Sequence, residues 1–368
     1  MKPFSPPDLP LSDSVLGLTS LFRIAGKANQ LVGRFDGCLE GVINKSVLVA
    51  PLATREAVLS ARIEGTITTM GEVLRYQAEG VAEREQVDEI REIVNYRRAL
   101  LAATGELEHR PLSLQLIRQA HQILLDSVRG KDKTPGQFRD TQNYIGPVGA
   151  PIESAFYVPP EPLFLNDHLE NFDAYLANQE QDEIVQAAII HAQFELIHPF
   201  CDGNGRIGRM LIPLFLHSRK ILAFPSFYLS EYFEAHRDEY IGRLQAISED
   251  GDWHGWIRFF LGSVVEQAES NTEKARGVHQ LYEQMKRKLD KSRSGYSMRV
   301  LDGLFYLCAF TSRQLMEYTG ISRDSAMRFI RRLRKDGTLK PIRERAGRRP
   351  AILAFAELVN LIEGREVI

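Results

Sequence analysis

The stretch His198-Pro199-Phe200-Cys201-Asp202-Gly203-Asn204-Gly205-Arg206-Ile207-Gly208-Arg209 decides how this chain is read. Residues 182–197 before it are strongly apolar and predict a helix that ends at Ile197. Apolar residues return after it and predict a second helix, Arg209 to Leu222. A histidine, a proline, an aromatic, an acid and a Gly-Asn-Gly turn lie between the two. Gly203 and Gly205 allow unusual φ values and a close approach to the backbone. The N-terminus of the following helix turns its free N–H groups toward the loop, which makes an anion site with phosphate as the usual guest.

The side chains extend that reading. Arg206 and Arg209 are three apart and share a helical face, so both can reach one polyphosphate. Asp202 offers the hard oxygen that suits magnesium. His198 can take a proton from an attacking hydroxyl, and Phe200 would be buried and fix the loop. Transfer of a nucleotidyl or phosphoryl group requires this set, because its catalysis is mostly positioning and charge stabilisation. A plainer alternative keeps the turn as a tight connection, His198 as a satisfied core histidine and the arginines as solvated. His191 and Glu195, one helical turn apart, suggest a metallohydrolase with His198, but no third ligand stands at a suitable spacing.

Outward from the loop, helical periodicity dominates. Residues 1–12 hold four prolines and predict an extended arm. Apolar spacing predicts helix over 13–30, 49–80, 84–104 and 112–128, with Ser113 placed to cap the last. Residues 134–162 are rich in glycine and proline and carry Tyr144, Ile145, Phe156, Tyr157 and Val158, which predicts a β-hairpin with an irregular tip. Residues 231–247 and 252–269 continue the helical core, anchored by Trp253, Trp256, Phe259 and Phe260, and about 270–295 is a charged helical connector.

With 368 residues, the chain suits two or three domains. A net charge of −2 gives no global field for polyanions, so nucleic-acid affinity would need a local patch. Cys38, Cys201 and Cys308 are far apart, odd in number and without metal-ligand spacing, which fits a reducing cytoplasm. The proline-rich N-terminus does not read as a signal peptide, and no apolar run predicts a membrane span.

Residues 198–209 match the signature HxFx(D/E)GNGRxxR at each defined position, and the chain resembles the Fic family over about 105–262, with a familiar N-terminal helical extension over much of 15–104. The resemblance implies a mainly α fold, a compact helical core with a β-hairpin flap beside the signature. It divides the chain into an extension (1–104), a Fic domain (105–265), a connector (266–294) and a C-terminal domain (295–368). It also implies a protein adenylyltransferase. His198 would deprotonate a Ser, Thr or Tyr hydroxyl of a target protein or of the chain itself. That hydroxyl would attack the α-phosphate of ATP. Asp202 would bind Mg²⁺. The run Gly203, Asn204, Gly205, Arg206, Ile207, Gly208 and Arg209 would hold the phosphates. Tyr228 and Tyr240 fall where adenine and ribose contacts are expected, and Ser248 stands where some relatives have Asn. Ile145, Gly146 and Tyr157 lie on the flap that pins a target segment by strand-like pairing. A homodimer is a further implication of this layout.

Upstream, Ser60-Ala-Arg-Ile-Glu64-Gly65 resembles the family's inhibitory signature (S/T)xxxE(G/N). Ser60 and Glu64 are one turn apart. The resemblance implies that Glu64 pairs with Arg209 and takes its guanidinium from the γ-phosphate, one carboxylate competing with one phosphate for one fork. Taken without the Fic signature, the six residues read as an exposed helix face. Related brakes also permit the reverse reaction, removal of AMP.

The last segment resembles a winged helix-turn-helix. A helix over 298–308 is followed by a second that starts at Thr311, a turn at Gly320, a third from Ser322 to Lys335, and two strands with a wing in 339–355. From Ile321 to Arg349, eleven Lys/Arg face three Asp/Glu, and Arg323, Arg328, Arg331 and Arg334 project from the third helix. Such a patch is the footprint of DNA-backbone binding, or else the solvated face of an interaction or dimerisation module. The whole chain could then be a DNA-binding regulator with the signature domain as a nucleotide sensor, or a phosphotransferase of the same architecture. An intact His198 with both arginines speaks for an enzyme.

Overall fold

The computed structural model describes residues 2–39, 45–79, 87–126, 133–147, 149–290, 294–347 and 349–368. The helix ends expected at 80, 84–86 and 127–128 lie outside these residues. The chain is mainly helical. In order, its helices are α1 (Asp13–Leu16), α2 (Leu18–Gly37), α3 (Lys45–Ile63), α4 (Met70–Glu79), α5 (Val87–Glu106), α6 (Leu114–Leu124), α7 (Leu165–Ala177), α8 (Glu183–Ile197), α9 (Asn204–Ser218), α10 (Ser230–Ala235), α11 (Arg237–Asp250), α12 (Trp253–Asp290), α13 (Ser297–Leu307), α14 (Ser312–Thr319), α15 (Arg323–Lys335) and α16 (Ala356–Glu363). The strands are β1 (Ala309–Phe310), β2 (Leu339–Arg343) and β3 (Ile352–Phe355). Two compact units form: Met1–Asp36 with Leu59–Gly65 and Asn95–Glu269, and Gly37–Val58 with Thr66–Val94 and Ser270–Ile368.

The first unit is built around α8. Its sequence EIVQAAIIHAQFELI is apolar on nearly every face, so it is buried all round rather than on one stripe. Helices α7, α9 and α11 pack on it. Two glutamines that it carries inward find main-chain partners: Gln186 donates to the Tyr175 and Asn178 carbonyls, and Gln193 donates to the Pro7 carbonyl. Trp256 is fully buried and donates from Nε1 to the Ala188 carbonyl at 2.9 Å. Trp253, Phe259 and Phe260 are buried beside it. The extended N-terminal arm lies on the same unit, where Leu9 exchanges two hydrogen bonds with Asn171.

Four local expectations change. Helix α9 starts at Asn204, not Arg209, because Gly203 at φ 79° turns the chain directly into it. Among the described residues, the hairpin of 134–162 reduces to a single antiparallel bridge, Ile145 to Tyr157. Pro147, Pro151, Pro159 and Pro160 have no N–H to extend a ladder, and the Phe4 N–H takes the Val158 carbonyl. Ser113 stands at the N-cap of α6 without a side-chain hydrogen bond; the Leu114 N–H is taken instead by Asp173 from α7. The charged connector is not a separate element, since α12 runs unbroken for 38 residues.

The second unit ends in a three-stranded antiparallel sheet of order β1-β3-β2. Leu339 pairs with Phe355 and Phe310 with Leu353. Thr311 and Gln314 form a capping box on α14, Gly320 closes that helix at φ 65°, and Ser322 caps α15. Ala326, Phe329, Ile330 and Leu333 bury one side of α15, while Arg323, Arg328, Arg331 and Arg334 lie outside that buried set. Strand β1 and helix α16 carry too few residues to show a period in the sequence.

Candidate active site

Asp182 starts the site by capping α8, with Oδ1 accepting the Ile184 and Val185 N–H groups at 2.9 and 3.0 Å. The helix ends on His198, which takes a left-handed φ of 49°. A non-glycine residue holds that conformation only where its surroundings over-determine it. Several groups do so. Phe200 is fully buried and stacks on the His121 ring, centroids 3.7 Å apart and planes 6° from parallel. The Asn204 side chain closes the loop, accepting from the Phe200 N–H and donating to the Phe200 carbonyl, each at 2.8 Å. His121 Nδ1 accepts the Gly136 N–H at 2.8 Å, so its Nε2 carries the proton and donates to the Asp202 carbonyl at 2.9 Å.

Loop and α9 together present the polar groups. Asp202 accepts from Arg206 at 3.1 Å and from the Gly203 N–H at 2.6 Å, with its side chain 38% exposed. Arg209 has a side chain 2% exposed and makes three hydrogen bonds to one segment. Its Nε donates to Ser60 Oγ at 2.9 Å, and its NH2 group donates to the Ser60 carbonyl at 2.9 Å and to Glu64 Oε1 at 2.7 Å. Glu64 lies one residue beyond the end of α3, and Gly65 at φ 95° turns the chain away after it. Gly205 makes the approach possible, since a Cβ there would stand 2.2 Å from Glu64 Oε1.

Burial and charge set the protonation states. Partial desolvation pushes the Glu64 carboxyl up, with 45% of its side chain still exposed, but the charge and hydrogen bond of Arg209, with Arg206 and His198 behind them, hold it below its ordinary value. Burial lowers His198 to about 4, so its imidazole is neutral at pH 7. Its Nδ1 lies 3.3 Å from the Glu195 carbonyl; with the proton held there, Nε2 keeps a lone pair for an incoming hydroxyl. Burial raises Glu195 to about 8, against the attraction of Arg209 and with Glu64 adding to the rise. Glu195 Oε1 is buried without a hydrogen-bond partner and fits against α9 only because Gly208 has no side chain.

Glu64, Glu195, His198, Gly205, Arg209 and Tyr240 line a pocket of ≈ 200 Å³, together with Ile145, Tyr157, Ile241, Leu244 and Gln245. That is less than the ~300–1,000 Å³ of most ligand pockets, and Glu64 takes up part of the room above Gly205.

The structure brings some of the expected residues to one cavity and places others elsewhere. Tyr240 reaches the cavity, with its hydroxyl 2.9 Å from His191 Nε2. Tyr228 is buried and does not line it. Ser248 hydrogen-bonds to the Gln245 carbonyl within α11. Asn204 is turned inward on Phe200, where its side chain closes the loop. Ile207 is buried. Gly146 lies against Ala155 beside the Ile145–Tyr157 bridge. His121, Arg139, Arg237 and Gln245 join the site without an expectation from the sequence, and Glu195, weighed there only as a metal ligand, joins it beside His198. A buried His on an apolar helix face and an Arg in a glycine-rich segment carry no local signal. The spacing of Glu195 to His198, one turn on the same helix, was the available hint.

The Fic/DOC family N-terminal model matches residues 22–105, and the Fic/DOC family model matches residues 111–216. The chain is 27% identical over 210 residues to "Protein adenylyltransferase Fic" of Culex quinquefasciatus, which is 54% of this chain and 38% of that protein. It is 26% identical over 223 residues to "Protein adenylyltransferase fic-1" of Caenorhabditis elegans, 59% of this chain and 40% of that protein. The match thus spans well under half of these relatives. A crystal structure of a Fic family protein from Desulfovibrio desulfuricans G20 shares the fold, with a TM-score of 0.55 and 17% identity over 95% of this chain and 98% of that one. A structure of Fic-1 from C. elegans does so with a TM-score of 0.53 and 23% identity over 72% of this chain and 75% of that one.

Proposed function

The chain belongs to the Fic/DOC family, and on that premise we propose that it is a protein adenylyltransferase held in check by its own Glu64. The observation that carries this reading is Arg209, whose guanidinium is bonded to Ser60 and Glu64 beside a neutral His198. His198 Nε2 accepts the proton of a protein hydroxyl. The hydroxyl oxygen bonds to the α-phosphorus of ATP, the bond from that phosphorus to the bridging oxygen breaks, and pyrophosphate leaves. The N–H groups at the start of α9 and the charge of Arg206 stabilise the phosphates as negative charge shifts to the leaving group. Ile241, Leu244 and Gln245 offer an apolar wall with one amide, which suits a nucleobase.

A magnesium ion fits the donor set. Asp202 is partly exposed on the loop and supplies one carboxylate, and Mg²⁺ is commonly held by one or two carboxylates together with substrate phosphates. Bound there, it would neutralise charge on the polyphosphate.

With Glu64 on Arg209, the γ-phosphate has lost its fork, and ATP binds without the alignment that transfer needs. Wild type, Glu64→Gly and His198→Ala are each incubated with α-labelled ATP, and label on protein is read by mass. Slow labelling by wild type, fast labelling by Glu64→Gly and none by His198→Ala are expected. Equal labelling by the first two would remove the brake; labelling by His198→Ala would remove the mechanism.

The arginines on the unburied side of α15 favour a second activity, binding of duplex DNA by a winged helix-turn-helix module. A gel-shift series over rising salt tests it, and binding that is absent or indifferent to salt argues for an interaction module instead.

A further inference from the structure

Arg139 is 3% exposed, and among the described residues no carboxylate pairs with it. A buried cation costs free energy unless its donors are taken. Here they are taken by main-chain carbonyls. Nε donates to the His198 carbonyl at 3.0 Å, and NH2 donates to the Pro160 carbonyl at 2.6 Å and the Ile197 carbonyl at 3.4 Å. NH1 donates to the Thr141 carbonyl at 3.3 Å, and the Arg139 main-chain N–H donates to the Pro199 carbonyl at 2.9 Å.

The acceptors fall into two groups. Ile197 closes α8, and His198 and Pro199 follow it, so the guanidinium sits at the negative end of the most buried helix and grips the left-handed turn that carries His198. Thr141 and Pro160 flank the segment that is pinned by the Ile145–Tyr157 bridge. One rigid, planar side chain therefore holds the turn and both roots of the flap. Only a fork with several fixed donors can span carbonyls in these directions, which a lysine cannot.

We infer that Arg139 is a positioning residue: it fixes the backbone turn that aims His198 and ties the flap to that turn. It touches none of the groups assigned to phosphate binding, so it acts on the chemical step and not on nucleotide capture. The inference rests on the reading of His198 as the base.

The test places Arg139→Gln and Arg139→Lys in the Glu64→Gly protein. It measures labelling at saturating ATP, ATP affinity by equilibrium binding, and the titration of the His198 ring by NMR. In Arg139→Gln the rate is expected to fall by about 100-fold, the scale of a misplaced catalytic group. Affinity is expected to hold, and the His198 midpoint to rise, because the Arg139 charge lowers it. Lysine keeps the charge but cannot span the carbonyls, so it should return the His198 midpoint toward the parent while the rate stays low. A parental rate in both variants overturns the inference, as does loss of rate and affinity in parallel. If the Glu64→Gly parent itself transfers nothing, the proposed chemistry fails; the backbone and ring resonances of His198, expected to move in both Arg139 variants, then test the positioning, and unchanged resonances overturn it.

Discussion

Glu195 shows how much one half-buried residue depends on its neighbours. Its carboxyl is raised to about 8 from an ordinary 4.5, chiefly by burial. Between those values the folded protein keeps a proton that the unfolded chain has released, so the fold loses stability as pH rises through the window. Glutamine has no proton to lose. The melting temperature of Glu195→Gln relative to wild type should therefore climb from about pH 5 to about pH 8 and level off above it; a constant difference would show that Glu195 is ionised in the fold. His198 behaves in the opposite sense. It is lowered to about 4 from 6.5, so labelling by Glu64→Gly should lack an acid limb near 6.5. A midpoint there in the pH–rate profile would mean that the ring is solvated.

Helix α8 carries the site because it is capped at one end and gripped at the other. Asp182 satisfies two N–H groups and also accepts from Asn29 at 2.6 Å. Asp182→Ala should cost about 1–2 kcal/mol in urea unfolding, the upper part of the cap range. Ser113→Ala, at a cap position where no side-chain bond forms, should cost less than ~0.5 kcal/mol. A similar loss at both would mean that cap geometry does not control these helices. The flap teaches the same lesson in reverse: its apolar and aromatic residues suggested two strands, but four prolines leave one bridge.

Across the whole molecule, charge is unevenly used. The net charge is −2, yet α15 carries Arg323, Arg328, Arg331 and Arg334 on a helix whose other face is buried. If these side chains bind phosphates, reversing Arg328 and Arg331 to Glu should flatten the logarithmic salt dependence of duplex binding by about 2, near 0.9 for each phosphate that is no longer neutralised. An unchanged slope would take α15 out of the interface. Among the described residues, no helix is long and apolar enough to cross a membrane.

By itself, the sequence determined what is local: a mainly helical chain, the apolar helix before His198, and a stretch in which a histidine, an acid, three glycines and two arginines stand within twelve residues. Helical period, glycine φ and the anion affinity of a helix start are set by residues close in the chain, so they can be read there. Only the tertiary structure decided which groups those residues meet. Arg209 meets Ser60 from 149 positions away, Asp202 meets His121 from 81, and the His198 turn meets Arg139 from 59. Burial then fixes the charge on Glu195 and His198. Desolvation and long-range hydrogen bonds have no period along a chain; they exist only once the helices have packed.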